Sequence, residues 1–114
     1  MKRLLKAFLY SCSLSLLSLL VVSFFWKEPL LLTFLMVLVS AIMLIVWRKK
    51  EDLYLYTIVG LTGALAEAVA IAFGAWTYTL PTAIGIPIWL PFLWGIAGVV
   101  IKKISLEIQD FLKK

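Results

Sequence analysis

The chain has no histidine and only one cysteine, Cys12, in 114 residues. A single thiol closes no internal disulfide, and without imidazole the usual ligand sets for zinc or haem are missing, so neither a metal nor a cofactor is expected. Charge is scarce as well: Asp, Glu, Lys and Arg together make up 15% of the residues. The joints between the apolar runs are too short to fold a second unit, and residues 1–114 are read as a single transmembrane domain. A net charge of +5 would suggest nucleic acid as the partner of a soluble protein. Here the cations flank apolar runs, so no nucleic acid is expected.

What is abundant is apolar surface. Hydrophobic residues reach 64%, and the mean hydropathy is +1.08. They fall into four runs, Ala7 to Trp26, Leu30 to Trp47, Leu53 to Trp76 and Leu80 to Ile101, of 20, 18, 24 and 22 residues. About 20 apolar residues of helix cross a bilayer core, so each run is long enough to span. The first run continues through Val22, Phe25 and Trp26, beyond the apolar length of a cleaved signal, and is expected to stay as a helix. Residues 102–114, with Ile104, Ile108, Phe111 and Leu112 on one face, are expected to form a short amphipathic C-terminal helix on the cytoplasmic surface. The expected fold is all-α: a transmembrane antiparallel four-helix bundle with that short helix appended.

The cations set the expected topology. Lys2, Arg3 and Lys6 precede the first run, Arg48, Lys49 and Lys50 stand between the second and third, and Lys102, Lys103, Lys113 and Lys114 follow the fourth. Only Lys27 lies in the other two joints. Because cations collect on the cytoplasmic side, the chain is expected to be a multi-pass protein of a prokaryotic plasma membrane with both termini in the cytoplasm.

Helices in lipid associate through small residues and hydrogen bonds. The Ser11, Ser15 and Ser18 stripe of the first run and Thr33 and Ser40 of the second are expected to face inward. The third run is richest in glycine and alanine and is expected to be the central helix.

Glu67 is the one ionisable group deep inside a run, 14 residues after the third run begins and 9 before it ends, and is expected close to the bilayer midplane. An acid there costs at least about 2.5 kcal/mol, and such groups usually face the protein interior. The expected hydrogen bond is one donated by its carboxyl to Ser18 or Ser40. Gly60, Gly63, Ala70, Ile71 and Gly74 share its face and leave room beside it.

The stretch from Gly74 to Gly95 carries Pro81, Pro87 and Pro91 together with Gly85. Each proline removes a donor and disfavours helix before it, so a broken, partly non-helical approach to the fourth helix is expected, with Trp89 or Trp94 turned toward the third. Irregular chain at that depth survives only against protein or a cavity. Glu67, Trp76, Tyr78, Trp89 and Trp94 are therefore the candidate ligand-binding residues.

Between Glu67 and Gly95 the pattern Glu…Gly-Ala-Trp-x-Tyr…Gly-Ile-Pro-x-Trp-x-Pro-x-Leu-Trp-Gly resembles uncharacterised small integral membrane proteins of bacteria and archaea. It also distantly resembles the lycopene-cyclase-like membrane proteins of carotenoid biosynthesis. Those enzymes carry acidic residues after the proline, where Ile88 and Phe92 stand here, so the resemblance implies handling of a lipid or isoprenoid molecule rather than cyclisation. The sequence names no reaction. The leading expectation is binding of a lipid-like or isoprenoid molecule, or of a partner's membrane helix, beside Glu67 and the outer aromatic residues. Two alternatives stand beside it. One is a small proton-coupled transporter, since size and a lone membrane glutamate are similar to the small multidrug-resistance family. The other is a structural or accessory subunit of a membrane complex, as a homo-oligomer or with a membrane-protein partner.

Overall fold

The computed structural model describes residues 2–81 and 84–113. Met1, Lys114 and the Thr82–Ala83 pair within the expected broken approach lie outside the described residues. The fold is all-α, with four helices in chain order: α1 Lys2–Phe25, α2 Pro29–Trp47, α3 Lys50–Ala72 and α4 Leu90–Lys113. Of these, α1, α2 and α3 are long and apolar enough to cross a membrane.

The helix boundaries have local causes. Glu28 N–H bonds to Phe25 O at 2.9 Å to close the first turn, and Pro29 opens α2 at a position where an N–H would have no partner. Arg48 ends α2 in the left-handed region, at φ 52°, with its N–H on Leu44 O. Glu51 and Asp52 place negative charge in the first turn of α3, against the positive end of its dipole. At the far end Gly74, at φ 87°, takes the left-handed position of a Schellman cap: Ala75 N–H reaches Ala70 O at 3.0 Å and Gly74 N–H reaches Ile71 O at 2.9 Å. The helix therefore stops at Ala72, short of the expected Trp76.

The charged joints gather at one end and the aromatic joints at the other. At the basic end Arg3 pairs with Glu107 at 3.2 Å, the rings of Tyr10 and Trp47 meet edge to face at 5.3 Å, and Asp52 holds Lys102 and Lys103. These contacts make α1 antiparallel to α2 and to α4, and α3 antiparallel to α4.

The central helix is α4, not α3 as the small-residue content suggests. It packs most extensively on α3, then on α1, and also on α2, whereas α2 and α3 barely meet. The reason is that small residues are used from both sides of the α3–α4 contact. A Cβ on Gly60 would stand 2.6 Å from the Pro91 carbonyl oxygen, and one on Gly95 would stand 2.7 Å from the Tyr56 ring. The two backbones approach as closely as glycine permits. The core adds Leu14 of α1 and Leu32, Met36, Val39 and Met43 of α2 to Ile96, Val99 and Val100 of α4.

Ser11 and Ser18 are buried with Leu14 between them, but Ser15 lies one step around the helix and is exposed. Ser40 is buried and Thr33 partly so. Ser18 donates to Leu14 O at 2.9 Å and Ser40 to Met36 O at 2.8 Å. Their hydroxyl protons are thus satisfied within their own helices.

The fourth helix differs from the expected span over residues 80–101. Regular helix begins only at Leu90, and then runs without interruption through Lys102 to Lys113, so the expected separate C-terminal helix is the end of α4. Its apolar part, Leu90 to Ile101, rises only about 18 Å. Ahead of it Ile84 to Trp89 is non-helical and climbs beside the end of α3, where Gly85 lies against Ile71. This stretch turns rather than extends: Ile84 and Gly85 have positive φ, 45° and 85°, and Leu90 N–H closes a turn on Pro87 O at 3.2 Å. Ile86, Pro87 and Trp89 in this stretch are buried against protein, and Pro87 brings no N–H that would need a partner there.

Candidate functional site

Because α3 ends at Ala72, Glu67 lies five residues, about 7.5 Å, from its aromatic end rather than near the middle of a longer helix. That position lets the chain after the cap fold back onto it. The Tyr78 hydroxyl donates to Glu67 Oε1 at 2.5 Å, and the Trp94 indole N–H donates to Glu67 Oε2. Glu67 does not bond to Ser18 or Ser40. The former is satisfied by its own helix, and Ser40 Oγ accepts the Tyr56 hydroxyl at 2.5 Å instead. Both carboxyl oxygens of Glu67 act as acceptors, the reverse of the donor role expected from the sequence.

Each partner reaches Glu67 for a structural reason. Trp94 stands in the first turns of α4 and lies over Gly63, one turn below Glu67 on the same face of α3; a Cβ at Gly63 would overlap the indole. Tyr78 comes from the non-helical chain beyond Gly74. Its ring in turn meets Trp89 edge to face, with centroids 6.2 Å apart and planes at 87°. Trp89 is only 6% exposed. Four of the five candidate residues are thereby joined in one chain of contacts, Trp94–Glu67–Tyr78–Trp89. Trp76 stands apart from it, 46% exposed.

Beside this chain lies a cavity of about 300 Å³. Tyr78 and Trp89 line it together with Thr79, Leu80 and Pro87, while Val22, Ser23 and Trp26 from the end of α1 form the rest of its wall. Glu67 and Trp94 do not line it. Their effect is on its shape, because Glu67 fixes where Tyr78 stands. Of the three hydroxyls on its wall, that of Ser23 donates to Leu19 O at 2.7 Å and that of Tyr78 to Glu67, which leaves Thr79 as the polar group facing it. What the cavity offers is mainly aromatic and aliphatic surface, suited to an alkyl chain or a polyene.

The contribution of α1, and of Trp26 at its end, was not legible in the sequence, where Trp26 only closes the first apolar run. A signal existed in its position: Trp26 and Trp89 fall at the same end of any antiparallel arrangement. The second missed feature is the fully buried Asp52 at the basic end, whose carboxylate meets Lys102 Nζ at 2.9 Å and Lys103 Nζ at 2.8 Å. No family model, curated protein or solved structure matches this chain.

Proposed function

We propose that this chain is an integral membrane protein that binds the apolar part of a lipid-like or isoprenoid molecule at its aromatic end. The observation that carries the reading is the aromatic-walled cavity whose Tyr78 side is held in place by Glu67. Its size suits a segment of a hydrocarbon chain, and its position between the end of α1 and Tyr78, Pro87 and Trp89 would open it to a bilayer around the helices.

A farnesol analogue carrying a diazirine tests this in bicelles. Labelling is expected at Trp26, Trp89 and their neighbours. Ser23→Trp, which fills the cavity from an exposed position of α1, is expected to lower that labelling by about tenfold, a change worth about 1.4 kcal/mol of affinity. Trp76→Ala is expected to leave it unchanged. Equal labelling of wild type and Ser23→Trp would mean that the probe reports only general lipid contact.

The same reading sets the cavity at the outer leaflet of a prokaryotic plasma membrane, with both termini in the cytoplasm, because ten of the eleven cations belong to the opposite end. A periplasmically active reporter fused after Thr79 is expected to be active, and one fused after Lys49 inactive. The reversed pattern would turn the molecule over and move the cavity to the inner leaflet.

A further inference from the structure

We propose that the basic end of the molecule is a second lipid site, one that holds the phosphate of an anionic phospholipid. A separate cavity of about 280 Å³ lies there, lined by Arg3, Lys49, Lys103, Glu107, Asp110 and Lys113 among others. It joins the start of α1, the α2–α3 joint and the last turns of α4.

The charges on its wall are not self-cancelling. Glu107 and Asp110 are both engaged by Arg3, at 3.2 and 3.7 Å. Lys103 is anchored by the buried Asp52 on its far side. Lys49 and Lys113 make no ion pair among the described residues, so the wall carries four cations against two carboxylates, with two lysines left to meet an anion.

The surroundings favour a lipid phosphate over a free one. Lys103 Nζ stands 5.0 Å above the Trp47 ring, which meets Tyr10 edge to face. A Trp–Tyr pair directly beneath a layer of cations is the arrangement found at headgroup depth. Leu106 forms part of the cavity wall, and Leu106, Ile108, Phe111 and Leu112 are exposed on the same turns of α4. These apolar side chains beside lysines suit the boundary between headgroups and acyl chains. A phosphodiester in the cavity would meet Lys49 and Lys113, beside the Asp52-paired Lys103, while its glycerol and first methylenes ran along Leu106.

The test is retention of lipid by the full chain, taken from nanodiscs that contain equal phosphatidylcholine and phosphatidylglycerol and read by native mass spectrometry. Wild type is expected to retain phosphatidylglycerol preferentially. Lys49→Gln with Lys113→Gln is expected to lower that preference by about fivefold per lysine removed. The double variant Lys49→Arg with Lys113→Arg is expected to keep it, which separates charge from fold. An unchanged preference in the glutamine variant, or an equal fall in the arginine variant, would overturn the proposal. A third arm adds inorganic phosphate at millimolar concentration. Loss of bound phosphatidylglycerol there would reassign the cavity to a soluble phosphate and would equally defeat the lipid reading.

Discussion

Glu67→Leu is expected to destabilise the protein by about 1 to 3 kcal/mol, because it takes the acceptor from the half-buried Tyr78 hydroxyl and, with less effect, from the exposed Trp94 indole N–H. The Tyr78 hydroxyl and the Trp94 indole N–H both lose their acceptor, and neither has a second one among the described residues. Trp94 is 36% exposed, so headgroup water that reaches it would draw the loss toward the lower figure. Glu67→Gln is expected to fall between wild type and leucine. Its amide keeps one acceptor oxygen but turns an NH₂ group toward the other donor. Unfolding in bicelles, followed by steric trapping or by thermal loss of helicity, measures the series. Equal stability of the three forms would reduce the clamp to a contact without energetic weight. Glu67→Leu should also deform the 300 Å³ cavity, since Tyr78, which lines it, is no longer held in place. Farnesol-probe labelling of Glu67→Leu should then become weaker and less localised.

The parts of this architecture that the sequence announces are those with one-dimensional causes. Unbroken apolar runs produce α1, α2 and most of α3, and Pro87 and Pro91 announce the late start of α4. The end of α3 is harder to read because Phe73, Ala75 and Trp76 are as apolar as the helix before them, so hydropathy does not change there. Gly74 is the signal. Taken as a left-handed cap rather than as a small residue on the Glu67 face, it would have ended the helix at Ala72 and moved Glu67 toward the aromatic end.

The role of α4 was illegible for a different reason. Counting small residues helix by helix favours α3, but close packing is a property of pairs. Gly60 and Gly63 serve α4 through Pro91 and Trp94, while Gly95 and Gly98 receive Tyr56 and Val59. A helix with as many glycines but fewer alanines can therefore stand at the centre. The aromatic end combines both cases: the grouping of Glu67 with Tyr78 and Trp94 follows from helical spacing and the prolines, whereas the α1 wall of the cavity depends on how α1 packs against α4.

Asp52 shows what a helical row can reveal once its neighbours are known. Asp52, Tyr56, Gly60 and Ala64 recur every four residues and so form one stripe of α3. Asp52, Gly60 and Ala64 are buried, while the Tyr56 ring packs on Gly95 and its hydroxyl reaches Ser40. The stripe therefore faces α4 and places Asp52 opposite Lys102 and Lys103. The carboxylate is fully buried, and the two lysine side chains are 26% and 13% exposed. Removing one partner of such a group leaves uncompensated charge where solvation is poor, so Asp52→Ala is expected to cost about 3 to 5 kcal/mol. The headgroup layer at this end favours the lower figure. The double variant Asp52→Ala with Lys103→Met should recover part of the loss, because one of the two stranded ammonium groups is gone and a methionine can lie on the Trp47 ring in its place. Double-mutant-cycle analysis of unfolding in bicelles checks this. Strictly additive losses would show that Asp52 and Lys103 act independently, and that the basic cavity does not depend on the buried carboxylate to aim one of its lysines.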